Sequence, residues 1–173
     1  MKRFPPGQQQ QHLLSALTEA EDFIIDPGLA LERAELREFL SYWQQSRGDQ
    51  DFPQRTDIIP VPMPRILPWT IMFDVVEGGA DFIVRVCGTA LTDIFGVELR
   101  GESVRKLPET LAARMILSGQ RCIALRAPIR GHSQISRAPG QDFQGVEICA
   151  VPISNDGETI DMILAVALLT TRV

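Results

Sequence analysis

Trp69 to Gly96, in one-letter form WTIMFDVVEGGADFIVRVCGTALTDIFG, carries the pattern that decides the fold. Trp69, Ile71, Phe73 and Val75 share one parity, with Thr70, Met72 and Asp74 on the other. After Gly78-Gly79-Ala80-Asp81, Phe82, Val84 and Val86 alternate with Ile83 and Arg85. Two alternating runs joined by a glycine turn predict a β-hairpin. Gly88 to Gly96 then reads as a short helix that stops at a glycine.

Working downstream, Gly101 marks a turn. Leu107, Leu111 and Met115 form one stripe of a helix beginning near Pro108 and expected to stop at Gly119. The reading then returns to β: a strand over 121–129, interrupted near Pro128, with 133–137 as its extension or a loop. A strand over 143–153 follows, and Asn155-Asp156-Gly157-Glu158 makes a hairpin turn, because Asp-Gly accepts positive φ at little cost. The last strand, 160–169, is apolar on both parities. Met162, Leu164, Val166 and Leu168 lie on one side, and Ile163, Ala165, Ala167 and Leu169 on the other. Such a strand belongs in the middle of a sheet covered on both faces. Short helices cover one face; Ala165 and Ala167 suggest close approach of another backbone on the other.

Upstream, Leu36, Phe39, Leu40 and Trp43 recur at helical spacing, and Gly48 ends the pattern. These four residues are the candidate interaction or dimer face, and the helix carrying them is expected on the second face of the sheet, either within one subunit or across a dimer. Pro53, Pro60, Pro62, Pro64 and Pro68 make the intervening segment an extended connector, with one helical turn at 65–67. Leu13, Leu14 and Leu17 suggest a short helix after a Pro- and Gln-rich, disordered start. The organisation is therefore a flexible or helical tail (1–30), a helix with connector (31–68) and an α+β core (69–173) built on one five-stranded antiparallel sheet.

Composition narrows the function. A length of 173 residues suits one domain, and a net charge of −5 with pI near 5.1 argues against a nucleic-acid surface. The N-terminus lacks a signal peptide's apolar segment, and no apolar run approaches the ~20 residues of a membrane helix, so a cytoplasmic location is expected. Cys87, Cys122 and Cys149 are too dispersed for a disulfide framework or zinc site and are expected to be free, with no metal bound. Neither His12 nor His132 sits in a catalytic motif, and no P-loop or GxSxG turn is present. The chain is read as non-enzymatic.

The hairpin, the Gly88–Gly96 helix and Leu99-Arg100-Gly101 together resemble the core of a PAS domain. Several further segments are similar to a family of stand-alone bacterial PAS proteins formerly catalogued as a domain of unknown function. They are the helix Leu36 to Trp43, Met63-Pro64-Arg65-Ile66-Leu67-Pro68, Arg85-Val86-Cys87-Gly88-Thr89, and Pro152-Ile153-Ser154-Asn155-Asp156-Gly157. The resemblance spans roughly residues 31 to 169. It implies a five-stranded antiparallel sheet with short helices over one face, and fold alone does not name a ligand. No histidine stands where a haem-binding PAS domain would carry its axial ligand, and Cys87 ends a strand rather than sitting in a flavin-reactive helix. No cofactor is predicted.

Arg85 is singled out as a polar residue within an apolar strand: it pairs with a carboxylate such as Asp74 across the hairpin, or meets an anionic ligand. Phe95, Met115, Ile148 and Leu164 are the candidate lining of a pocket between helices and sheet. Two functions stay open. One is a small-molecule sensor that dimerises and passes its signal to a separate protein; the other is a ligand-free dimerisation or protein-interaction module with a side-chain-filled core.

Overall fold

The computed structural model describes residues 22–58 and 63–171. The Pro- and Gln-rich start, the pattern at Leu13, Leu14 and Leu17, and residues 59–62 of the connector lie outside the described residues. Six strands form one antiparallel sheet: β1 (Ile24–Asp26), β2 (Thr70–Val76), β3 (Asp81–Cys87), β4 (Ile129–Ser133), β5 (Gly145–Ile153) and β6 (Met162–Thr170). Their spatial order is β1-β4-β5-β6-β2-β3. Among the described residues three helices accompany them: α1 (Ala34–Arg47), α2 (Thr89–Phe95) and α3 (Glu109–Leu125). Among the described residues, no helix is long and apolar enough to cross a membrane.

The doubly apolar strand β6 lies between β5 and β2, as its composition requires. The hairpin β2–β3 forms across the Gly78-Gly79 turn, where Gly78 takes φ of 68°. The α1 stripe buries Leu36, Phe39 and Trp43, and Gly48 closes the helix at φ of 55°. Short 3-10 turns at Arg55–Asp57 and Leu67–Trp69 punctuate the connector; the second falls two residues beyond the turn expected at 65–67.

Three expectations are corrected. The sheet has six strands rather than five, because three residues before the Pro27-Gly28 turn pair with β4. Such a short run carries too little alternation to register as a strand.

The helix expected to stop at Gly119 instead runs on to Leu125, so the strand expected over 121–129 begins only at Ile129. Gly119 is a notch rather than a stop: a Cβ there would lie 2.4 Å from Cζ of Phe82, whose ring occupies the space. The stripe Leu111, Met115 and Ser118 continues to the fully buried Cys122. The helix ends where Arg126 adopts the left-handed conformation (φ 51°), two residues before Pro128, which disfavours helix in its predecessor.

The two faces of β6 are also the reverse of expectation. Cross-strand partners point to the same side of a sheet, and Glu147 pairs with Leu168, and Val151 with Leu164. Leu164 therefore shares a face with Glu147, whose carboxylate receives the N–H groups of Glu32 (2.8 Å) and Arg33 (3.0 Å) at the head of α1. Ala165 and Ala167 point the other way, beneath α2 and α3. Their small side chains leave a cavity instead of admitting a backbone.

Candidate functional cavity

A cavity of about 90 Å³ lies between the sheet and the two helices α2 and α3. Its floor is made by Ile71 and Phe73 of β2, Val146, Ile148 and Ala150 of β5, and Ile163, Ala165, Ala167 and Leu169 of β6. All follow from period-2 geometry, which sends every second residue to one face. Leu91 and Phe95 from α2 and Leu111 and Met115 from α3 close it from above. Where larger side chains at positions 150, 165 and 167 would fill this space, the three alanines leave it open.

Among the cavity-lining residues, the charged one is Arg114, and its neighbours of interest are Ser118 and Ser136. Both serine hydroxyls are used elsewhere: Ser118 donates to the carbonyl of Arg114 (2.8 Å) and Ser136 to that of Gln141 (2.8 Å). Arg114 is only 3% exposed, on a helix face that is otherwise core. Its Nη1 donates to the carbonyls of Ile135 (2.8 Å) and Ser136 (3.1 Å), and its Nη2 to Asp22 Oδ1 (2.9 Å) and Ser133 Oγ (3.3 Å). Phe23 lays its ring 5.1 Å from the guanidinium carbon. The buried Nε has no partner among the described residues. Burial pulls the Arg114 guanidinium below its ordinary value, Asp22 opposes that pull, and Arg137 adds to it. An arginine nevertheless stays protonated in a protein.

On the opposite face, Glu147 is 2% exposed and joins three elements. Besides the two N–H groups at the head of α1, it accepts from Arg130 Nε on β4 at 2.7 Å. Arg130 in turn reaches Glu32 (3.3 Å) and Asp26 (3.9 Å). Burial pushes the Glu147 carboxyl up, but the N–H of Glu32, the Arg130 guanidinium and the N–H of Arg33 outweigh it, leaving the group below its ordinary value. Its role is positional: a negative charge from β5 at the positive end of α1.

Of the residues singled out from sequence, Phe95, Met115 and Ile148 line the cavity. Leu164 does not; it lies on the Glu147 face. Arg85 is exposed on β3, where its Nε donates to Asp74 Oδ1 at 2.9 Å, the cross-hairpin pairing rather than a ligand contact. Leu36, Phe39 and Trp43 are buried within the single chain, with the Trp43 indole donating to the Pro152 carbonyl (2.8 Å), and Leu40 is half-buried. The sequence reading passed over Arg114, although an arginine three residues after Leu111 and four before Ser118 falls on the apolar stripe of α3. Asp22 and Phe23 gave no such signal.

Cys122 and Cys149 are buried and Cys87 is half-buried, all three as free thiols. Burial pushes the Cys149 thiol up to about 12 and Cys122 further still, so both are poor nucleophiles.

No match is found among curated proteins. The family model described as the PAS domain matches residues 31–167, a stretch that holds α1, β2 to β5, all but the last three residues of β6 and the helices roofing the cavity, and the chain belongs to the PAS domain family.

Proposed function

We propose that this PAS domain is a non-catalytic, cytoplasmic sensory module that takes a small, mainly apolar molecule into the cavity between its sheet and helices. It acts as a homodimer and hands its signal to a separate signalling protein. The observation that carries the reading is the cavity itself: about 90 Å³, walled by apolar side chains and bordered by one buried arginine. An apolar void of about 150 Å³ in another protein stays dry and accepts benzene, so a space of this order suits a ligand on the scale of an aromatic ring. The opening at the alanine floor argues against the alternative of an interaction module with a side-chain-filled core. Contacts of α1 with Glu147 and Pro152 support the reading of that helix as the permanent cover of the sheet's second face.

The test is thermal unfolding with benzene and indole as apolar probes. A probe that binds only the folded state stabilises by about 2.7 kcal/mol at a hundred times its Kd. A saturable rise in Tm supports the sensor reading; no rise with any probe, with a monomer by sedimentation, would leave it without support.

A further inference from the structure

Arg114 already holds an occupant of ligand-like chemistry. Asp22 supplies a carboxylate to Nη2, and the next residue, Phe23, supplies a ring that lies against the same guanidinium and lines the cavity. An acid and an aromatic ring from one short segment thus occupy the charged end of an apolar void. Phe23 is buried, at 8% exposure, whereas Asp22 is more open. Asp22 is 31% exposed at its side chain, and its further ties are Ser133 Oγ at 3.3 Å and Arg137 Nη2 at 3.7 Å. The strand that follows, β1, has three residues and pairs only with β4. Phe23 fits because β4 carries a glycine against its ring: a Cβ on Gly131 would lie 2.5 Å from its Cζ.

The fit at Arg114 is incomplete. Nε and Nη2 form one edge of a guanidinium, the edge that a carboxylate engages through two parallel hydrogen bonds. Asp22 takes Nη2, and Nε has no partner among the described residues. A buried donor left this way is costly, so a carboxylate free to align with the whole edge has an advantage over one tethered to the chain. Exchange of one carboxylate for the other leaves the charge beside Arg114 unchanged and sends Asp22 into solvent.

We propose that Asp22 and Phe23 form an internal plug, and that the ligand of the cavity is a small aromatic monocarboxylate. Its carboxylate accepts from Nε and Nη2 of Arg114, and its ring replaces that of Phe23. Binding expels Asp22 and Phe23 and frees β1 from the sheet edge, giving the domain a ligand-dependent N-terminal segment. This rests on the cavity reading above.

The probes are phenylacetate and its uncharged counterpart 2-phenylethanol, added to the full chain and to Phe23→Ala. Phenylacetate is expected to raise Tm saturably and more than the alcohol does. Amide exchange at residues 24–26 is expected to accelerate with phenylacetate even as global stability rises. A plug closed about nine-tenths of the time weakens apparent affinity about tenfold, so Phe23→Ala is expected to bind phenylacetate about tenfold more tightly. Asp22→Asn removes the plug's negative charge from Arg114 while keeping the arginine itself, and its phenylacetate shift is expected to exceed that of wild type. Equal shifts from both compounds would overturn the carboxylate assignment while leaving cavity binding intact. A phenylacetate shift with unchanged exchange at residues 24–26 would overturn the plug. No shift from either compound, in wild type or Phe23→Ala, would overturn this inference and the cavity reading together.

Discussion

Glu147 is a carboxylate kept inside the protein by three partners: two N–H groups from the head of α1 and the Arg130 guanidinium. Its removal leaves Arg130 buried beside weaker contacts at 3.3 and 3.9 Å. Breaking a buried pair by removing one partner costs about 3–5 kcal/mol, and Glu147→Leu is expected near the lower end because Glu32 and Asp26 remain. Urea unfolding measures it; a loss under about 1 kcal/mol would mean the carboxylate is dispensable. Gly119 poses the opposite problem, of space rather than charge. Alanine there gains about 1 kcal/mol in helix propensity, but overpacking against Phe82, itself 1% exposed, costs roughly 1–3 kcal/mol. Gly119→Ala is expected to lower Tm, and a raised Tm would show that the ring moves aside freely.

At the scale of elements, the β5–β6 turn is held by one side chain. Asp156 Oδ1 accepts from the N–H of Glu158 (2.8 Å), the N–H of Thr159 (2.7 Å) and the Ser154 hydroxyl (3.0 Å). These bonds hold its carboxyl at about 2, below the ordinary 3.8. A depressed folded-state value means the stabilisation is fully present above the ordinary value and fades as pH falls toward the folded one. Wild type is therefore expected to exceed Asp156→Asn in urea midpoint by a constant margin at neutral pH. That margin should shrink as pH drops below 3.8 toward 2. A margin independent of pH over that range would assign the effect to turn geometry rather than charge.

The whole molecule combines a sheet packed on both faces with a void under its helices. Ala165, in the central strand, is 6% exposed and borders that void. Ala165→Val adds two methyl groups to the space, each worth about 0.8 kcal/mol when buried. The variant is expected to unfold at higher temperature and to lose most of its response to indole. A fall in Tm would mean the site cannot accept the branch, and an undiminished indole response would place the probe elsewhere. Gain of stability with loss of binding is the usual trade at a site kept open for function.

The sequence alone specifies four of the six described strands, β2, β3, β5 and β6, and where the three described helices begin. Alternation at Trp69–Val75, the Asp156-Gly157 turn and the Leu36–Trp43 stripe are local patterns, and local backbone geometry is what they specify. It also placed β6 in the sheet's interior, since apolar residues on both parities need cover on both faces. Which face met which layer was not legible, because in such a strand the two parities look alike; only the position of α1 and Glu147 distinguishes them. The same limit applies to the arginines. Arg85 and Arg114 both interrupt apolar runs, yet one ends in solvent beside Asp74 and the other in the core beside Asp22, 92 residues away in sequence. Gly119 shows the limit most directly: whether a glycine ends a helix or receives a ring depends on Phe82, which only tertiary packing brings to it.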